Sequence, residues 1–93
     1  MFTIVAQSNF DHPTDAAERQ QLEHMADVLR RTPGFVRGAW ARDESEPKTL
    51  WGLLTFDDRK HASDFAAQVE GAGAARWLCL TEVLAEASRL PAV

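Results

Sequence analysis

Trp40 and Arg42 stand two positions apart in a run of the chain that is expected to be extended. Because alternate residues of a strand lie on the same face, both side chains are expected on one face. There the tryptophan can form a flat wall against an aromatic ligand, and the guanidinium can stabilise a phenolate or an enolate. Asn9, which follows the first expected strand, can direct its amide towards the same pocket. These three residues are the candidate catalytic groups.

Each of these residues also has a structural interpretation. Trp40 can be a core or interface aromatic with Gly38 making room beside it, because a strand glycine permits close approach. Arg42 can pair with an acidic residue of the turn that follows, which contains Asp43, Glu44 and Glu46. Asn9 can simply form a turn. The residue types leave both interpretations open.

The other potentially reactive side chains are histidines and one cysteine. His24 lies beside the apolar face of the first expected helix, where it can be a base near pH 7 or a half-exposed helical residue. His12 and His61 flank expected helix starts and should face solvent. Cys79 cannot form an internal disulfide and is expected to be a small buried hydrophobe. No histidine pair and carboxylate share a ligand spacing, so no metal site is predicted.

Length and charge exclude several classes of protein. The 93 residues are expected to form one domain, residues 1–93, because so short a chain supports one core. With 14 acidic and 10 basic side chains the net charge is −4, and no Lys/Arg cluster suits phosphates or anionic lipid. Nucleic acid and membranes are therefore not expected partners. No apolar segment approaches the ~20 residues that span a bilayer, so a cytoplasmic location is expected.

Short β-branched and apolar runs predict four strands. They cover residues 2–8, 35–42, 49–56 and about 78–86. The second and third runs, joined by a polar turn, predict a hairpin. The last run would suit a helix equally well by its periodicity, and a strand is preferred because it completes a sheet.

Two amphipathic segments predict helices between these strands. Four apolar residues fall at i, i+3, i+4 and i+7 in each segment: Leu22, Met25, Ala26 and Leu29 in the first, and Ala62, Phe65, Ala66 and Val69 in the second. The first helix should begin at Thr14 or Asp15, and Pro33 with Gly34 should turn the chain after it. The second should be capped by Asp57 or Asp58 and stopped by Gly71 and Gly73. The predicted order is βαββαβ.

Both faces of the predicted sheet carry large apolar side chains. In the third strand Leu50, Leu54 and Phe56 lie on one face, while Trp51 and Leu53 lie on the other. In the first strand, Val5 lies between two polar residues on its face. Two helices cover only one face, so Val5, Trp51 and Leu53 would form an exposed apolar patch of the kind that marks an interface. We therefore expect a homodimer that buries these three residues.

The sequence TPGF at Thr32 to Phe35, the hairpin that runs on to Phe56 and the final LTEVLAEA resemble the dimeric α/β-barrel superfamily, in particular its antibiotic biosynthesis monooxygenase-like branch. The resemblance covers nearly the whole chain. It implies an α+β, ferredoxin-like βαββαβ sandwich whose sheet packs against that of a second copy to form a dimeric α/β barrel. It also implies a pocket in each subunit between helices and sheet.

The resemblance also implies which residues meet a ligand. A pocket between helices and sheet would be lined by His24, Met25, Phe56 and Phe65. Quinone-forming monooxygenases of this superfamily need no cofactor, because the substrate's own anion reacts with oxygen, assisted by Trp, Asn, Arg or Tyr groups. This chain has no tyrosine, so the role falls to Trp40, Asn9 or Arg42.

Haem-degrading relatives carry an Asn on the first strand, a Trp closing the third and a His on the second helix. This chain has Ala6, Phe56 and Phe65 or Ala66 at those places, so haem degradation is rejected and no cofactor is expected. Two functions remain open. One is a cofactor-independent monooxygenase acting on an aromatic or polyketide-like molecule, and the other is a non-catalytic module that binds a small hydrophobic ligand or serves in assembly.

Overall fold

The computed structural model of the protein describes residues 1–11 and 14–89. The elements are β1 (Phe2–Asn9), α1 (Asp15–Arg30), β2 (Phe35–Arg42), β3 (Thr49–Phe56), α2 (Arg59–Ala72) and β4 (Trp77–Glu82). This is the predicted βαββαβ order, so the ferredoxin-like fold class is confirmed. Pairing with a second copy stays a prediction, and the expectation for His12 lies outside the described residues. None of the described helices has the length and apolar character to cross a bilayer.

The four strands form one antiparallel sheet in the order β2-β3-β1-β4. Along β1 the register with β3 is unbroken, from Phe2 opposite Phe56 to Asn9 opposite Thr49. Both helices contact the sheet on one face. The core between these layers consists of Ile4, Ala6, Leu29, Leu54, Phe56 and Ala62.

Local capping interactions fix the ends of α1. Thr14 is the N-cap, and its Oγ1 accepts a hydrogen bond from the Ala17 N–H at 3.1 Å. Asp15 and Glu18 therefore belong to the first turn, where negative charge suits the helix dipole. At the other end the Thr32 hydroxyl donates to the Val28 carbonyl at 2.8 Å. These side chains supply partners for backbone groups that the helix leaves free.

The Pro-Gly turn after α1 is joined to the start of α2. Gly34 has a φ of 80°, and its carbonyl accepts a hydrogen bond from the Asp57 N–H at 2.8 Å. Asp58 caps α2 by accepting from the His61 N–H at 2.8 Å, and His61 Nδ1 lies 2.7 Å from Asp57 Oδ1. Phe35 then packs edge-on against Phe56 at 5.8 Å between ring centroids. The turn thus directs Phe35 into the core, as its sequence indicates.

The C-terminal part of the chain differs from the prediction in two places. Gly73, with a φ of 65°, caps α2, whereas Gly71 lies inside the helix. β4 ends at Glu82 instead of residue 86, because its partner strand β1 begins at Phe2, which is opposite Glu82. One further hydrogen bond follows, from the Val83 N–H to the Met1 carbonyl. Residues 83–89 have no regular structure.

Gly34→Ala should cost more stability than Gly73→Ala. Both positions have positive φ, which costs an alanine about 1–2 kcal/mol. A Cβ at position 34 would also overlap the His61 ring and the Asp57 carboxylate, whereas nothing lies within 4 Å of a Cβ at position 73. Chemical denaturation should give a free-energy loss for Gly34→Ala at least about 1 kcal/mol larger. Equal losses would contradict the packing of this turn against α2.

The His61–Asp57 contact should make stability fall as pH rises above neutrality. The hydrogen bond that the His61 ring donates to the Asp57 carboxylate raises the pKa of His61, with added attraction from Asp58 and opposition from Lys60, and the same bond lowers the pKa of Asp57. A histidine whose folded pKa exceeds its unfolded value of about 6.5 stabilises the fold below that pH and loses the contribution as pH rises through the folded value. The melting temperature should therefore drop as pH rises from about 6.5 through the raised pKa of His61, and less so in His61→Gln. Parallel pH profiles for the two proteins would refute this assignment.

Candidate functional site

A cavity of about 470 Å³ lies between the helices and the covered face of the sheet. Small-molecule sites have volumes of about 300–1,000 Å³. The cavity exists because two small residues, Gly52 and Ala6, lie opposite each other in the middle of the sheet. Trp40 lies opposite Gly52 on its other side. The volume that two larger side chains would fill is left open beneath the helices.

Trp40 forms part of the cavity wall and presents its N–H edge over the cavity floor. A Cβ built on Gly52 would lie 3.6 Å from both Cδ1 and Nε1 of the indole, and Gly52 itself lines the cavity. Within residues 1–11 and 14–89, the Trp40 N–H has no hydrogen-bond partner. Gly38 does not make room for Trp40 as expected, because its space is taken by the Phe35 ring and Leu54 Cδ2, both 3.1 Å from a built Cβ. An unpaired donor therefore meets an apolar space.

Four other predicted site residues line the same cavity: Asn9, His24, Met25 and Phe65. Asn9 ends β1 and His24 lies in the second half of α1. Both are exposed, so they stand where the cavity meets solvent. The remaining walls are mainly aliphatic. A ligand would therefore find polar groups at the mouth and apolar surface inside.

Ser8 and Gln21 also line the cavity and were missed by sequence reasoning. The sequence contained evidence for both. Ser8 lies on the same face of β1 as the core residues Ile4 and Ala6, and Gln21 lies one helical turn before His24. The Gln21 amide lies 3.6 Å from the Met25 sulfur, a contact that orders this part of the wall.

Arg42 and Phe56 do not line the cavity. The Arg42 guanidinium pairs with Glu18 of α1, not with the acidic residues of the following turn, because Arg42 shares the helix-facing side of β2. Its carbon Cζ lies 5.3 Å from the centroid of the Phe10 ring, which is buried and does line the cavity. Arg42 therefore reaches the cavity wall through Phe10.

Phe56 is fully buried in the core behind the cavity. Its ring lies 5.5 Å from that of Phe65, between centroids, so it supports a residue that does form the wall. Sequence reasoning assigned both rings to the pocket wall, because residue type alone does not separate the ring that lines the cavity from the ring behind it.

The uncovered face of the sheet holds the three predicted interface residues. Val5 and Leu53 are directly opposite in the register, and Trp51 is the next residue on that side of β3. The Trp51 ring packs edge-on against Trp77 at 6.3 Å, and Leu53 and Trp77 are 43% and 50% exposed. The described chain therefore leaves this face partly apolar and open to solvent.

The uncovered face also holds the Trp51–Asp43 hydrogen bond and the side chain of Cys79. The Trp51 N–H donates to Asp43 Oδ2 at 2.9 Å, and this bond, with those from the Glu46 and Ser45 amides, lowers the pKa of Asp43. Cys79, expected to be buried, is exposed, because it is opposite Val5 and so lies on the face that the helices do not cover.

A separate cluster lies at the start of α2. Among the described residues, potential metal-ligand atoms of Asp57, Asp58 and His61 lie within 4.8 Å of one another. None of the three lines the cavity, and their hydrogen bonds cap α2 and hold the preceding turn. We assign them this structural role.

Comparison with known proteins gives structural likeness without close sequence relatives. No protein-family model and no curated protein matches the chain. A variant of SnoaB, a cofactor-independent oxygenase from Streptomyces nogalater, superposes with a TM-score of 0.67 at 16% identity, over 91% of this chain and 94% of that one. A candidate antibiotic biosynthesis monooxygenase from Deinococcus radiodurans gives 0.61 at 17% identity, over 99% and 100%.

A third structure, from Nitrosomonas europaea and also named as a candidate antibiotic biosynthesis monooxygenase, gives a TM-score of 0.64 at 13% identity, over 91% of this chain and 100% of that one. Identities this low show a shared fold. The resemblance expected from the sequence is confirmed at that level: the chain has the ferredoxin-like fold of antibiotic biosynthesis monooxygenases.

Proposed function

We propose that this protein is a cofactor-independent monooxygenase that oxidises an aromatic or polyketide-like small molecule bound between the helices and the sheet. The observation that carries the proposal is the N–H of Trp40, which has no hydrogen-bond partner among the described residues and lies at the wall of a mainly apolar cavity of about 470 Å³. Such a donor is worth most where water is excluded and a ligand oxygen becomes anionic.

The residues that line the cavity are assigned different roles according to their chemistry. Apolar walls bind the rings, and the Trp40 N–H donates to the phenolate or enolate oxygen. The Asn9 amide can donate to a second oxygen at the mouth, and His24 can accept the proton that the hydroxyl loses. Arg42 acts at a distance, by holding Phe10 in the wall.

The reaction needs no group beyond the substrate and dioxygen. The deprotonated ring supplies electrons to dioxygen, one oxygen atom is incorporated as the new carbonyl of a quinone, and the other leaves as water. The protein's contribution is to stabilise the anion and exclude solvent. The structural likeness to SnoaB, itself a cofactor-independent oxygenase, supports this class of reaction.

Oxygen uptake with a naphthol whose para position is free tests the proposal. Trp40→Phe retains an aromatic wall and removes the N–H, and should lower kcat about 100-fold while changing binding only a few-fold. Trp77→Phe, on the open face, is the matched control and should retain wild-type uptake.

Binding of the naphthol without oxygen uptake by wild-type protein would overturn the oxygenase and leave the non-catalytic ligand-binding module. Equal kcat in wild type and Trp40→Phe would refute the role given to the indole N–H.

We further propose that the open face of the sheet binds a second copy of the chain. The row of residues across its middle, Ala39, Leu53, Val5 and Cys79, carries no charge. Such a face is complementary to itself in polarity, as a two-fold symmetric interface requires. Association would also bury the apolar side chains that a single copy leaves exposed on this face, such as Leu53 and Trp77.

Trp51→Asp should abolish this association. The new carboxylate would lie on the apolar face near Asp43, where like charges repel and burial is costly. Ala67→Asp adds the same charge to an exposed position of α2, on the other side of the sheet, and is the control. Light scattering should give a dimer for wild type and Ala67→Asp and a monomer for Trp51→Asp. An unchanged mass for all three would contradict the interface.

A further inference from the structure

Helix α1 has open space along both of its flanks. On the flank towards α2 it borders the cavity described above through His24, Met25 and Val28. On the flank towards the β2 edge it borders a second space, also about 470 Å³ and more open to solvent, which we call the outer groove. Its α1 residues are Leu22, Glu23, Ala26, Asp27 and Arg30.

Trp40 lies between the two spaces. Among the residues that the structure describes, it is the one that lines both the cavity and the outer groove. Its ring packs against the core beneath α1, with Gly52 on the cavity side. Trp40 is thus the wall residue that the cavity and the outer groove share, and a smaller side chain at this position would be expected to join the two spaces into one passage beneath α1.

We propose that Trp40 sets the maximum length of the ligand by closing the cavity off from the outer groove. This inference rests on the proposed function, because it takes an aromatic ligand as the occupant of the cavity. A ligand that fits the cavity ends against the indole. A longer one would have to displace the indole, which loses its core packing, and would then enter the outer groove.

The outer groove offers a distinctive environment to any ligand that reaches it. Leu22 and Ala26 supply apolar surface. Asp27 pairs with Arg30 at 3.0 Å, whereas the Glu23 carboxylate has no ion-pair partner within the described residues. A positively charged group at the far end of a long ligand would therefore be attracted to Glu23.

Binding of hydroxylated arenes of two, three and four linear rings, measured by titration calorimetry, tests the length limit. Wild type should bind the two-ring compound at least about tenfold tighter than the four-ring one. Trp40→Ala should bring the two affinities within about threefold. Trp40→Leu, which retains more packing, should shift them in the same direction, and thermal melting establishes that each variant is folded.

Val69→Ala is the matched control, because Val69 lines the cavity and not the outer groove. It enlarges the cavity without opening the passage and should retain the wild-type preference for short compounds. If the folded Trp40 variants keep that preference, or Val69→Ala loses it equally, the inference fails while the proposed function stands. If wild type binds none of the compounds, the proposed function fails and the inference with it.

Glu23 allows a second measurement, the preference for a positively charged tail on the ligand, which a general loosening of the core would not change. A two-ring phenol with an aminobutyl tail should bind Trp40→Ala more tightly than its carboxybutyl counterpart does. Adding Glu23→Gln should remove that difference in the Trp40→Ala background and change nothing in wild type. Equal effects of Glu23→Gln in both backgrounds would refute the inference that Trp40 closes the cavity off from the outer groove.

Discussion

The register between β1 and β3 is the constraint on which the rest of the structure depends. Ile4 opposite Leu54 faces the helices, and Val5 opposite Leu53 faces away from them. Because side chains alternate with a period of two, a slip by one residue would exchange the two faces. The same register sets Gly52 beside Ala6, so it determines the core, the cavity and the open face together.

Contacts at both ends of the helical layer maintain the space that this register creates. At one end the Arg42–Glu18 ion pair joins β2 to the first turn of α1 over the Phe10 ring. At the other end the Gly34 carbonyl and the Asp57 amide join the turn after α1 to the start of α2. Between these points α1 lies over Trp40 and small residues. A cavity in this position is thus compatible with a well-packed core, because the helices are held at their ends.

Much of the fold could be predicted from the sequence, and its site only in part. The bounds of β2 and β3 were clear because Pro33 and Gly34 precede the first and a polar turn separates the two. The end of β4 was not, since it depends on where the partner strand β1 begins. Parity correctly grouped Trp40 with Arg42 and could not show that Arg42 pairs with Glu18, a residue 24 positions away on another element. Cys79 was misjudged because burial of a strand residue depends on which face the helices cover.

At the Gly52–Ala6 pair, the shape of the interior can change without a change in the strand register, although in most cores the same side chains determine both. Neither residue contributes a side chain large enough to fix the strand register, which is carried by the larger pairs on either side. Added methyl groups at these two positions would reshape the interior without disturbing the framework around it. Homologous chains could therefore diverge in the molecules they accommodate through changes at a very small number of sites, while the backbone that holds those sites stays the same.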